Sequence, residues 1–226
     1  MLRIIVFCCL FLSTAADLDF TLQCQKGYRV TGIRRLKNAY SPLGSLSIEC
    51  ELISEPSLTN CETPTKSPQC NGALEGCTGN TWLGGFRAYM VENSTTATIL
   101  DPVCCSAPGV VVQPETCIND HINGPKKPFS HSIVSDLMYR GLQCWHQYDA
   151  ESRLVDLVWK AEICAYTGQK QSTQGQAECP ECRCECGIRQ CGDGKEPVRV
   201  VHKNFSRLPG SGKCSCDCLC TYKCLQ

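Results

Sequence analysis

Cysteine is the residue type best placed to do chemistry in this chain, and its spacing is regular. Cys182-Arg-Cys-Glu-Cys186 is followed by Cys191, and Cys214-Ser-Cys-Asp-Cys-Leu-Cys220 by Cys224, so the two clusters look like copies. Alternation puts Cys182, Cys184 and Cys186 on one face of a strand, and Cys216, Cys218 and Cys220 on one face of another. Two such strands folded back on each other would set thiols opposite one another at the separations that disulfides require. Repeated Cys-x-Cys also gathers thiolates around zinc or copper, which is the rival reading. Passage through an oxidising compartment favours disulfides and no bound metal.

A second candidate is electrostatic. Lys195, Arg199, Lys203, Arg207 and Lys213 face a single acid, Glu196, and a spacing of four from Lys195 to Arg207 puts those cations on one face of a strand. Sulfated glycosaminoglycans are the extracellular polyanions that such a patch suits. Flat aromatic rings offer a third chemistry, sugar stacking, from Trp82, Trp145, Tyr148 and Trp159. Trp159 alternates with apolar neighbours and reads as core, which leaves Trp145 and Tyr148 as candidate exposed contacts. The sequons Asn93-Ser-Thr95 and Asn204-Phe-Ser206 are acceptors for N-glycans if the chain is secreted.

Signs of catalysis are scarce. There is no Gly-x-Ser-x-Gly elbow, phosphate-binding glycine loop or His-Glu-x-x-His pair, and His121, His131, His146 and His202 lie far apart in sequence. Asp149 and Glu151 read as a solvated turn. The expectation is a protein that is not an enzyme and uses no cofactor.

The elements that must position these residues follow from composition. Cysteine occupies 22 of 226 positions, a level that marks a disulfide scaffold in a secreted chain. The 22 basic and 22 acidic side chains balance, so no overall field draws the molecule to nucleic acid. Met1-Leu2-Arg3, the apolar run Ile4 to Leu12 and Ser13-Thr14-Ala15-Ala16 predict a signal peptide over 1–16, and no later stretch is long enough to span a membrane. The expected location is therefore the extracellular space or matrix. Ten cysteines then lie in 17–166 and ten in 179–226, separated by a glutamine-rich, core-less stretch, 167–178, that reads as a linker between two separately oxidised units.

The first unit carries a weak threefold repeat. Cys24 leads through seven residues to Gly32-Ile33 and then Cys50; Cys77 leads through seven to Gly85-Phe86 and then Cys104; Tyr139-Arg-Gly141-Leu142 leads to Cys164. The glycines recur after 53 and 56 residues, enough for a small sheet per repeat. Leu46, Ile48 and Cys50, and Leu157, Trp159, Ala161 and Ile163, alternate with other residues as inward-facing strand positions do. The fold expected is all-β, with three similar faces and a small disulfide-stapled tail; an ordinary sandwich is the alternative. Bracketing of the glycine turn and closing strand predicts the pairs Cys24–Cys50 and Cys77–Cys104. Cys105 points away from Cys104 and needs another partner, with Cys117 as the candidate; Cys144 and Cys164 are expected to be oxidised too.

At these residues the chain resembles the dermatopontin family of extracellular matrix proteins. The similar pieces are Phe20-Thr-Leu-Gln-Cys24 with Gly27, Val30 and Arg34; Leu83-Gly-Gly-Phe86 leading to Cys104-Cys105; and Tyr139-Arg-Gly141 leading to Asp156, Trp159, Lys160 and Cys164. They span about 18–166. The family's Asp-Arg-x-aromatic element survives only as Asp156-Leu-Val-Trp159, without its Arg. The Cys, seven residues, Gly-Phe spacing is also similar to vitelline membrane outer layer protein, which implies a threefold β-prism. Together these resemblances imply a secreted matrix or adhesion protein that binds matrix proteins or glycans. A soluble secreted binding or defence protein with a metal-holding tail is the alternative.

Overall fold

The computed structural model describes residues 18–36, 45–64, 66–90, 97–168, 179–187 and 196–225. The signal-peptide expectation, most of the linker, Asn93, Cys191 and Lys195 lie outside the described residues. Fifteen strands are described: β1 (Leu18–Gln23), β2 (Tyr28–Leu36), β3 (Ser45–Leu52), β4 (Asn60–Glu62), β5 (Glu75–Gly76), β6 (Trp82–Met90), β7 (Thr98–Ser106), β8 (Val111–Val112), β9 (Ile118–His121), β10 (Phe129–Ser132), β11 (Leu137–Tyr148), β12 (Leu154–Thr167), β13 (Arg183–Cys186), β14 (Glu196–Arg207) and β15 (Cys214–Leu225). The only helical turns among the described residues are two short 3-10 segments, each opened by a proline, Pro56–Leu58 and Pro114–Thr116.

The architecture is the expected all-β, pseudo-threefold prism. Three long antiparallel hairpins, β2–β3, β6–β7 and β11–β12, each sit in a different sheet. Each has an irregularity in register at the repeated glycine: between Val30 and Gly32, between Leu83 and Gly85, and between Tyr139 and Leu142. A bulge adds local twist, which lets each sheet curl around a shared core. Glycine is needed at Gly85 because a Cβ there would stand 2.5 Å from the Gln23 Cα and from the Leu22 carbonyl oxygen of β1. The inward faces meet in one apolar core that includes Leu22, Ile33, Ile48, Phe86, Leu142 and Leu157. Trp82 anchors a second cluster with Met138 and Val112, and its indole N–H donates to the Tyr28 carbonyl at 3.2 Å.

The seams between sheets use different chemistry. Between the sheets of β2 and β11 they are polar. Fully buried Asp156 accepts from both Arg35 guanidinium nitrogens at 2.6 and 3.1 Å and from the Lys126 and Leu157 N–H groups at 2.7 and 2.9 Å. Arg29, fully buried in β2, pairs with Glu51 and donates to the Leu137 carbonyl and, at 3.0 Å, to the Ser135 carbonyl at the entry to β11. Between the sheets of β11 and β7 the link is covalent, through Cys77, just after β5, and Cys104 in β7.

Both predicted pairs, Cys24–Cys50 and Cys77–Cys104, are formed. The Cys105–Cys117 expectation is corrected: β4 lies beside β7 with Cys61 directly opposite Cys105, and these two bond. Cys117 instead precedes β9, which pairs with β12, and so reaches Cys164; Cys144 bonds to Cys70.

The expectation that the two Cys-x-Cys strands fold back on each other is also corrected. β13 extends the sheet of β6 by pairing with β1, while β15 extends the sheet of β2 by pairing with β3. The clusters face one another across two sheets, joined by Cys182–Cys216, Cys184–Cys218 and Cys186–Cys220, with Cys179–Cys214 beside them. Both numbers rise together along the ladder, so the strands run in the same direction. Parallel strands need a crossover longer than a tight turn, and the long strand β14 lies within it.

Candidate functional site

β14 and β15 form a twelve-pair antiparallel hairpin, and its alternation determines which side chains share a face. On β15 the even-numbered cysteines turn inward: Cys214, Cys216, Cys218 and Cys220 are all buried over Cys50, Ile48 and Leu46. The odd positions therefore turn outward. Asn204 of β14 is opposite Asp217 of β15, Asp217 opposite Ser47 of β3, and Ser47 opposite Arg34 of β2, one row across four strands. With His202 and Leu219, which are opposite each other one step along, this row lines an open groove of about 520 Å³.

The groove mixes chemistries. Arg34 donates to the Ser215 hydroxyl at 2.8 Å, and its Nε is buried with no hydrogen-bond partner among the described residues. Asp217 and Asn204 add acceptors and donors over buried Ser47, His202 adds an imidazole and Leu219 an apolar wall, while Val201 and Lys203, of the other register, border the groove. Hydroxyl-rich rings, with polar edges and apolar faces, suit such a surface.

The predicted basic row is on the other register of β14. Lys203 is opposite Cys218 and Arg207 opposite Cys214. The Lys203 ammonium pairs with Glu181 at 2.8 Å and lies 5.7 Å from the Phe205 ring centroid, so part of its charge is spent on joining β14 to the chain before β13. Arg207 is also engaged. Arg199 is on the same register of β14 as Lys203, opposite Tyr222. Asn204 lies within β14 and not after a strand, and it is exposed.

The four aromatics do not form one platform. Trp82 and Trp159 are buried, as alternation indicated for Trp159. Trp145 is half-buried: Gly72 packs against its indole so closely that a Cβ would stand 2.4 Å from Nε1, and the Lys160 ammonium is 5.3 Å from the ring centroid. Tyr148 is exposed and stacks on His146, at 6.2 Å between centroids. Three residues apart on one strand, Trp145 and Tyr148 point to opposite faces.

Asp149 and Glu151 form the solvated turn expected of them, both bonded to Arg153 at 2.8 Å. One constellation escaped the sequence reading. His131 of β10 has Nδ1 at 2.6 Å from the Tyr139 hydroxyl and Nε2 at 3.1 Å from an Asp120 carboxylate oxygen. Asp-His-hydroxyl is the order of a proton relay, but Tyr139 is buried and burial pushes its pKa up, so the phenol is neither presented to substrate nor readily ionised. Its neighbours are joined only by the pairing of β10 with β2 and of β9 with β12, which no spacing in the sequence reveals.

Phe20, Leu46, Leu100, Phe129 and Trp159, drawn from all three sheets, line a small, mainly apolar cavity of about 20 Å³. Comparison of the chain with protein-family models, with curated proteins and with solved structures finds no match.

Proposed function

We propose that this is a secreted structural protein of the extracellular matrix that binds glycans or matrix proteins through the outer face of the β2–β3–β15–β14 sheet. The observation that carries the reading is the four-strand polar row Arg34, Ser47, Asp217 and Asn204, held on a scaffold with nine disulfides among the described residues. Disulfide density of this kind belongs to oxidising compartments. The resemblance of the ordered pieces over about 18–166 to dermatopontins is what suggests the matrix assignment. No catalytic role is part of the proposal. The metal-holding tail draws no support from the eight tail cysteines seen in disulfides, because a disulfide has no thiolate to offer a metal.

The test is retention on immobilised heparin across a salt gradient, with protein carrying its glycans and with the Asn204→Gln protein. A glycan on Asn204 would fill the groove, so the Asn204→Gln protein should be retained longer. Arg34→Gln in that background should bring elution forward, whereas serine at Lys195, Arg199, Lys203 and Arg207 together is a separate variant that reads the basic row of the other register. Screening over a Debye length of about 8 Å at physiological salt makes such binding salt-sensitive. Elution of the Arg34→Gln protein with its parent would overturn the glycan reading of this face and turn attention to the basic row and to Tyr148.

A further inference from the structure

The disulfide map divides sharply. All ten cysteines of the body, from Cys24 to Cys164, are bonded to one another in five pairs, so none is left to reach the tail. The four described bonds of the tail are internal to it, and they rivet β13 to β15 into one covalent piece. That piece is nevertheless part of the fold. β13 pairs with β1 from Phe20↔Cys186 to Gln23↔Arg183, and β15 pairs with β3 from Leu46↔Cys218 to Cys50↔Cys214. Side chains add polar links: Arg34 to Ser215, and the Lys213 ammonium to the Ile133 carbonyl at 3.2 Å. Every one of these attachments is non-covalent.

Without the tail, β1 and β3 would each become an open sheet edge. Beneath those edges Phe20, Leu22, Leu46 and Ile48 would lose the buried cysteine ladder that covers them. Open edges over apolar residues pair with a strand of matching register, and the strands of this tail match both edges in register. Eleven peptide steps separate Gly168 from Cys179. They reach at most about 36–40 Å, and their composition, with four glutamines and no aromatic or branched aliphatic residue, opposes no extended path.

We propose that the tail is an exchangeable clasp, and that two copies of this chain join by each placing its disulfide-riveted tail into the β1 and β3 edges of the other. The swapped dimer uses the same strand pairs as the monomer, so it costs little beyond the loss of translational freedom, and it is favoured at high local concentration. A matrix deposit supplies that concentration, yet the inference stands on the disulfide map and the strand pairing and not on the glycan reading.

The experiment uses two preparations of the full chain, each with a site-specific protease sequence inserted between Gln171 and Ser172. One carries an affinity tag after Gln226 and the other is labelled with heavy nitrogen. They are mixed at high concentration, held just below the melting temperature without reductant, cooled, and the dimer is isolated by size exclusion. The linker is then cut. A swapped dimer falls to half its mass, because cutting leaves each body holding the other chain's tail with no remaining bridge. In that monomer-sized peak the tagged light tail brings down heavy bodies. A dimer that keeps its size after cutting overturns the proposal. So does a monomer-sized peak in which light tails hold only light bodies, or a chain that forms no dimer at any concentration.

Discussion

Replacing Asp156 by Ala tests whether one buried carboxylate holds two faces of the prism together. Asp156 is fully buried, and its two oxygens accept four hydrogen bonds, two from Arg35 and two from backbone N–H groups. Truncation leaves the guanidinium, itself only 13 % exposed, beside an empty site and strands the Lys126 and Leu157 N–H groups. Breaking one side of a buried pair costs about 3–5 kcal/mol. At roughly 2–4 °C per kcal/mol for a chain of this size, the melting temperature should fall by about 6–20 °C. The exposed pair from Arg153 to Asp149 provides a scale, since pairs of that kind contribute about 0–1 kcal/mol. The assay is denaturant unfolding under non-reducing conditions, followed by the fluorescence of the tryptophans, one of which, Trp159, lies three residues along the same strand. Arg35→Met combined with Asp156→Leu removes the orphaned charge and should recover much of the loss. A cost below about 1 kcal/mol for Asp156→Ala, or a double variant less stable than the sum of its singles, would refute the claim that this pair joins the sheets.

Gly85→Ala drives a Cβ into the backbone of β1 and should destabilise by about 1–3 kcal/mol or more, whereas Gly32→Ala meets only the movable Glu49 carboxylate and should cost less; paired unfolding curves decide the order. Burial raises the pKa of Asp101 despite the opposing hydrogen bond and charge of Arg87. The folded state then takes up this proton before the unfolded chain does, so the group's unfavourable contribution is present at neutral pH and is relieved on acidification. Relative to Asp101→Asn, the parent should therefore gain stability as pH falls from ~7 toward ~4, and a gap that moves the other way would show that Arg87 dominates. Serine at both Cys61 and Cys105 opens a loop with a sequence separation of 44, worth about 4 kcal/mol from chain entropy alone, and should leave the Cys77–Cys104 bond intact in a peptide map.

The sequence alone determined what depends on local pattern. Alternation placed Leu46, Ile48, Leu157, Trp159 and Ala161 inside, because a strand with one covered face must alternate. The recurring Gly32, Gly85 and Gly141 marked the three hairpins, because a bulge or a close backbone approach excludes a side chain wherever it falls in the chain. Cys24–Cys50 and Cys77–Cys104 followed from the same repeat. That the ten cysteines before 167–178 bond among themselves was legible from their even number.

Tertiary structure alone decided whatever depends on which edge meets which. Cys105 bonds to Cys61 because β4 docks on β7, a pairing of strands 44 positions apart that no motif announces. The tail's cysteines form a parallel ladder across two sheets because β1 and β3 each offered a free edge, and two edges of different sheets hold strands farther apart than a hairpin would. That docking also determined the fate of the basic row. Register with β15 put Lys203 on the cysteine register of β14, where it pairs with Glu181, and left Asn204 on the outer face beside Asp217, Ser47 and Arg34. A period of four residues says that cations share a face; only the neighbouring strand says which way that face looks.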